Sequence, residues 1–416
     1  MHSQQVSRTW SLALASALAL AILVSQPAQA QTFTVLHNSG GAGDLAIDRA
    51  GNLYGTTPEG GPVTEACPYG CGIVYMLAHK GSGWIFTPIY SFAGDNDGEN
   101  PIAGVRIGSD GSLYGTTSRG GSGYGNCQNG CGTVYSLRPP ASACKTALCP
   151  GTETVLYRFQ GSPDAGTPLS SVTFDNAGNI YGTTAGGGSH GRGTVYEMTP
   201  TGQGWKETIL YSFTSTPPDG SGVWSGVVLD KAGNLYGTSA GGGAYGYGMV
   251  YELTPSGSGW TENVLYSFQG GSDGADPYAG LVFDTAGNLY GATTQWGDYL
   301  GGTVFELNPQ NGKFAVLYGL YGNNDACYDI HLYICWGPMG RLVMDSGGHL
   351  FGANYSDGIY GKGSVFKLTL SGSGWTYTDL YDFTGGADGQ WPIGGMVLDA
   401  NGNLYGTAGT VWEITP

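Results

Sequence analysis

Two sets of loop residues in this chain have the types and spacing to do chemistry. Asp97, Asp164, Asp219, Asp273 and Asp388 hold matching places in AGDNDGENP, QGSPDAGTP, TSTPPDGSG, QGGSDGADP and TGGADGQWP. Pointed inward they would make an acidic ring; used locally they close Asp-Gly turns, the reading that the flanking glycines favour. Tyr124, His190, Tyr245, Tyr247, Trp296, Tyr299, Tyr355 and Tyr360 stand among glycines in a second set of loops. Ring faces stack on sugars and carboxylates accept hydroxyl protons, so the two sets suit an uncharged, hydroxyl-rich ligand. Packing of these rings on adjacent loops is the competing use.

Catalysis has a weaker warrant. With 31 acidic residues a carboxylate pair is always findable, so abundance is no argument for glycoside hydrolysis. His190 with Arg192, or His331, fits a lyase or hydrolase, but no nucleophile elbow or His-rich metal motif accompanies them. No catalytic residue and no metal site is assigned. DNDGE at 95–99 resembles the opening of a Ca²⁺ loop and lacks its later bidentate Glu, so Ca²⁺ is the one cofactor the sequence raises.

The eight cysteines fall into near neighbours: Cys67 with Cys71, Cys127 with Cys131, Cys144 with Cys149, and Cys327 with Cys335. In an exported chain such pairs read as disulfides. A zinc site built from CPYGC and CQNGC is the competing reading, disfavoured by spacing and by an oxidising compartment. Export itself is expected from residues 1–30, where Arg8 precedes an apolar run from Leu12 to Val24 and Ala28-Gln29-Ala30 offers a cleavage site. That run is shorter than the roughly 20 residues that span a bilayer. Cleavage leaves 14 basic against 31 acidic residues, a net charge near −17, which argues against nucleic acid and anionic membrane surfaces as partners. A secreted, periplasmic or surface-located monomer, not inserted in a membrane after cleavage, is the expectation.

The elements that carry these loops come from a repeat. AGNLYGTT (50–57) returns as GSLYGTT, AGNIYGTT, AGNLYGTS, AGNLYGAT, GGHLFGAN and NGNLYGTA, with its aromatic at Tyr54, Tyr114, Tyr181, Tyr236, Tyr290, Phe351 and Tyr405. Intervals of 54 to 67 residues signal a repeat architecture. In the fourth repeat, WSGVVLD (224–230), NLYGTS (234–239), GMVYEL (248–253) and WTENVLYSF (260–268) read as strands, rich in β-branched and aromatic residues and bounded by Gly, Asp, Asn or Pro. Four antiparallel strands repeated seven times predict an all-β fold, a seven-bladed β-propeller over residues 31–416. The ends are permuted: FTVLHN (33–38) matches a fourth strand and TVWEIT (410–415) a third. The N-terminal strand is therefore expected to complete the last blade and close the ring.

Repeats of the form D-x-A-G-N-L-Y-G-T-T, then G-T-V-Y-E-L-T-P, then G-W-x-E-x-V-L-Y-S-F resemble those of the GloVer-containing tandem-repeat proteins of bacteria, over residues 32–416. The resemblance implies no established activity. Through the family's "choice-of-anchor" description it implies a C-terminal surface-sorting segment, which the residues up to Pro416 do not show.

Within each repeat, the Asp and A-G-N read as a tight turn, the Gly after the aromatic as a point of close approach or a bulge, and Trp84, Trp205, Trp260 and Trp375 as cover for the outer strand. The insert 321–338, with its Cys pair, His331 and Trp336, is placed to lid the variable-loop face. Function is expected on that face, since variable loops on a rigid scaffold are where function concentrates. The leading expectation is binding of an extracellular glycan or protein. A polysaccharide lyase or glycoside hydrolase on the same face, and a structural scaffold without a small ligand, are the alternatives.

Overall fold

Every repeat folds into one four-stranded antiparallel sheet, and seven of these sheets make the propeller. The computed structural model describes residues 31–416 apart from 42, 66, 82, 122–126, 128, 141–150, 258, 322–335 and 373. In the fourth blade the strands are Val228–Leu229, Leu235–Ser239, Met249–Ser256 and Gly259–Ser267, hydrogen-bonded in that order from the axis outward. The inner strand is much shorter than the 224–230 expected from sequence. Residues 224–227 line the axial channel instead.

Ring closure follows the permuted ends. Thr32–His37 pairs antiparallel with Val411–Thr415, Phe33 facing Ile414 and Val35 facing Trp412, as the outer strand of the last blade.

The repeated motif builds each blade and ties it to the next. The Asp48 carboxylate accepts the Ala50 and Asn52 backbone N–H groups, both at 2.9 Å, and the Asn52 side chain and Tyr54 hydroxyl. The same network recurs at Asp175, Asp230, Asp284 and Asp399, and Asp110 supplies it two residues late in blade two. A motif threonine donates to a carbonyl in the segment leading into the next blade's inner strand: Thr56 to Ala103, Thr183 to Ser225, Thr238 to Ala279 and, across the ring seam, Thr407 to Gly43. The motif glycine makes room for a ring rather than for backbone. A Cβ at Gly182 or Gly237 would collide with the buried Tyr196 or Tyr251 of the third strand.

The core is divided into seven clusters among the described residues, each drawing on two adjacent blades. This is how a chain this long avoids one oversized interior. The outer-strand tryptophans belong to these interfaces, which corrects their reading as edge cover. Trp84 packs edge-on to Tyr405 and Trp375 edge-on to Tyr290, each the motif tyrosine of the preceding blade.

One interface position comes in two chemical versions. Phe33, Phe86, Phe314 and Tyr377 stack on Tyr381, His37, Tyr266 and Tyr318 of the preceding blade, with ring centroids 3.6, 3.9, 3.7 and 5.0 Å apart. In blades two, three and four the same position is Glu153, Glu207 and Glu262, facing Tyr90, Tyr157 and Tyr211. Each glutamate buries an Oε1 without a hydrogen-bond partner. Burial, reinforced by Asp97, Asp164 and Asp219 respectively, pushes all three carboxyls up to about 7.

Candidate functional site

Five aromatic residues from four consecutive blades form an arc of ring contacts that starts at the axial channel, which Trp224 and Tyr278 line. Trp224 meets Tyr278 edge-on at 5.5 Å, Tyr278 lies parallel to Trp336 at 6.2 Å, Trp336 approaches Tyr355 at 6.0 Å, and Tyr355 lies over Trp391 at 6.1 Å. Trp224 and Trp391 are 45% and 42% exposed, so ring surface stays open to solvent. The loops beneath are fixed by backbone hydrogen bonds from Tyr355 N to Gly337 O and from Ser356 N to Trp336 O. Trp391 has φ of 53°, a left-handed conformation that is unusual for a bulky residue. At matching places before a proline the chain uses Asn100, Thr167 and Asp276, also left-handed. The Lys362 ammonium, 5.1 Å from its ring centroid, helps hold Trp391 there.

Below the arc the channel opens into a cavity of about 160 Å³, lined mostly by corresponding residues of the segments that lead into the inner strands. Two turns of this lining differ sharply. Nearest the arc are Ile102, Leu169, Trp224, Tyr278, Met339 and Ile393; beneath them are Asp44, Ser171 and Arg341 among glycines, with Arg106 deeper. Asp44 accepts the Gly395 N–H on Oδ1 at 2.7 Å, and the Arg106 guanidinium at 2.9 Å and the Ser171 hydroxyl at 3.3 Å on Oδ2. Burial alone would raise the Asp44 carboxyl, but Arg106, Arg341 and these donors hold it below the ordinary range. The Arg106 charge, together with burial, pushes Arg341 down to about 10 against the opposing pull of Asp44. Among the described residues, Arg106 is paired with the one carboxylate and Arg341 is not, so the channel floor carries a surplus positive charge.

The residues singled out in the sequence scatter around this site. Tyr355 lies within the arc. Tyr247 and Trp296 form a separate edge-on pair between loops at 5.9 Å, and Tyr299 stacks at 3.8 Å on Tyr321 at the end of the strand Lys313–Tyr321. Tyr245 and Tyr360 are exposed, and exposed His190 is engaged with the Ser189 hydroxyl. Tyr124 lies outside the described residues, as do His331, Cys144, Cys149, Cys327 and Cys335.

The aspartates make no ring about the axis. None of the five lines the channel among the described residues. Asp97, Asp164, Asp273 and Asp388 each accept the hydroxyl of an outer-strand tyrosine, Tyr90, Tyr157, Tyr266 and Tyr381, and the backbone amide that starts their own loop. Asp219 takes the Thr214 amide and hydroxyl. Turn closure wins because a carboxylate turned outward satisfies two or three donors. In DNDGE, Asp97 is engaged with Tyr90 while Glu99 lies 3.9 Å from Arg119, so these two carboxylates serve different partners. Cys67–Cys71 and Cys127–Cys131 are disulfides, against the zinc reading.

Trp224, Tyr278, Trp391 and the Asp44, Arg106 and Arg341 trio were not expected from sequence. Their signal is a departure from the repeat: Trp224 and Tyr278 stand where other blades carry Ile, Leu or Met, Trp391 where others carry Asn, Thr, Asp or Gly, Asp44 and Arg341 where most carry Gly, and Arg106 where others carry Val, Ala or Thr.

Fold and channel define an all-β, seven-bladed propeller with an aromatic-rimmed axial cavity. The chain belongs to the Gloeobacter/Verrucomicrobia repeat family, whose model matches residues 24–216 and 124–334. No curated protein sequence matches it. Among solved structures it is similar to a streptogramin B lyase, at 13% identity and a TM-score of 0.55, covering 92% of this chain and 97% of that one. The extracellular domain of a protein from B. thetaiotaomicron described as a hybrid two-component system matches at 10% identity and 0.54, covering 92% of this chain and 40% of the other. A GH74 xyloglucanase from Xanthomonas campestris matches at 13% and 0.51, covering 92% and 53%. At these identities the likeness is one of fold.

Proposed function

We propose that this protein is an exported binding propeller that holds an extracellular glycan against the arc from Trp224 to Trp391. The arc carries the reading: five aromatic side chains follow one another from ring to ring, Trp224 and Trp391 exposed and the three between them half-buried, an arrangement suited to stacking on successive sugar faces. Export is supported by the two disulfides and by the likeness to extracellular propeller domains. Binding is favoured over hydrolysis because Asp44 is the one carboxylate among the channel-lining residues described, and its oxygens are committed to Arg106, Ser171 and Gly395. A glycan array followed by titration calorimetry tests the reading. The expected result is a saturable hit that Trp224→Ala and Trp391→Ala each weaken at least fivefold, with no new reducing or unsaturated ends on prolonged incubation. Silence on every glycan, or tight binding indifferent to both substitutions, refutes it.

A further inference from the structure

We propose that the glycan is acidic, and that the channel floor receives the carboxylate of a uronate residue on Arg341. The inference rests on the glycan reading above and adds the charge of the ligand. Its first support is the place of Arg341 in the repeat. Four residues before the motif aspartate, or its counterpart in blade two, the seven blades carry Asp44, Gly104, Ser171, Gly226, Gly280, Arg341 and Gly395. The four glycines leave the axis open, and the arginine grows into that opening. A Cβ placed at Gly280 would lie 3.6 Å from the Arg341 stem, so the stem lies against the neighbouring blade rather than folding back on its own.

The second support is unused donors. A guanidinium offers five N–H groups in a planar fork that matches a carboxylate. Among the described residues, Arg341 makes neither an ion pair within 4 Å nor a side-chain hydrogen bond, whereas Arg106 is paired to Asp44 at 2.9 Å. Asp44 is already engaged on both oxygens. The surplus charge is local: the whole chain carries 15 basic against 31 acidic residues, so two arginines converging on one aspartate at the axis do not reflect a basic surface. A half-buried cation without a partner carries a desolvation cost, and a bound anion relieves it.

The third support is what stands above it. Trp224 and Tyr278 line the same cavity as Arg341. A free inorganic anion has no use for an aromatic wall, and a neutral sugar has none for the guanidinium. A sugar ring bearing a carboxylate uses both, its face against the tryptophan and its acid group forked by Arg341.

The test titrates the full protein with oligomers of galacturonate, glucuronate and mannuronate, each beside its carboxyl-reduced neutral counterpart, and with acetate and sulfate alone. The expected result is at least one uronate bound tenfold or more tighter than its neutral counterpart, with acetate and sulfate binding far more weakly. Arg341→Gln is expected to erase that preference while leaving the weaker neutral affinity, and Trp224→Ala to lower both. The acid-to-neutral comparison in the unsubstituted protein reads the proposal even where Arg341→Gln fails to fold. Equal affinity for acid and neutral oligomers overturns the uronate inference and leaves glycan binding standing. Acetate or sulfate binding as tightly as any uronate overturns the sugar part. No binding to any uronate overturns the uronate inference, and only silence across the full glycan array overturns both readings.

Discussion

Replacing Glu153, Glu207 and Glu262 together by Gln should stabilise the protein at alkaline pH and flatten its pH dependence. These half-buried carboxyls sit at about 7 rather than the ordinary 4.5, through burial and the neighbouring aspartates. As pH rises from 4.5 through 7 the unfolded chain releases these protons while the folded chain keeps them, so stability falls across that window and levels off above it. A difference of that size sets an upper bound of about 3 kcal/mol per glutamate, which solvent screening of a half-exposed group reduces to about 1. Three sites then give about 3 kcal/mol. With an unfolding entropy of roughly 2.1 cal/mol/K per residue over this length, that is about 3–4 °C in midpoint.

The assay is a thermal melt by circular dichroism at intervals from pH 5 to pH 9. The native protein should lose stability between pH 5 and 8, and the triple substitution should melt about 3–4 °C higher at pH 8 while matching it near pH 5. A small slope should survive in the variant, because burial and the neighbouring Asp382 and Asp357 hold Asp379 at about 6. Parallel curves for the two proteins would refute the argument, since the glutamates would then titrate alike in folded and unfolded chains. Glu262→Phe carries the same logic further. It installs the ring that stacks at this position in four other interfaces and should stabilise at every pH.

Gly182→Ala should destabilise by about 1–3 kcal/mol, the usual cost of overpacking, because the Tyr196 ring already fills that space; a lower urea midpoint at unchanged m-value checks it. Phe33→Ala removes the 3.6 Å stack on Tyr381 and should speed hydrogen exchange at the amides of residues 32–37 well before those of blades three and four. Trp391→Asn, which places at 391 the residue used at the left-handed position 100, should leave the melting midpoint within about 2 °C, as for a substitution of under 1 kcal/mol, while glycan affinity drops at least fivefold.

The blade plan is legible in sequence because it is written seven times. The Asp turn, the motif aromatic and the permuted ends are local patterns, and Thr32–His37 closes the last blade as the matching of VLHN to VLYSF requires. The site is legible only in part. Tyr355 announces itself as an aromatic among glycines, and so do Tyr247 and Trp296, which pack on each other instead. Trp224 and Arg341 sit inside strand-like runs, WSGVV and GRLVM, where each passes for ordinary filler. Their meaning depends on inner strands from seven blades meeting at one axis, a convergence of residues dozens of positions apart that no single window contains. The aspartates mislead for the opposite reason. Their alignment is real, but a shared position fixes neither the direction of a carboxylate nor its competition with local amides and tyrosine hydroxyls.

The seam between Thr32 and Thr415 joins residues 383 positions apart, and it sets a clock. The first strand of the folded domain to leave the ribosome is the last to find its partner. At roughly 5–20 residues per second, that wait is on the order of half a minute or more. Throughout it, the outer edge of the last blade does not exist, and Phe33 and Val35 have nothing to cover them. Any factor that shelters a short apolar strand therefore acts on this protein before it has a ring to lose.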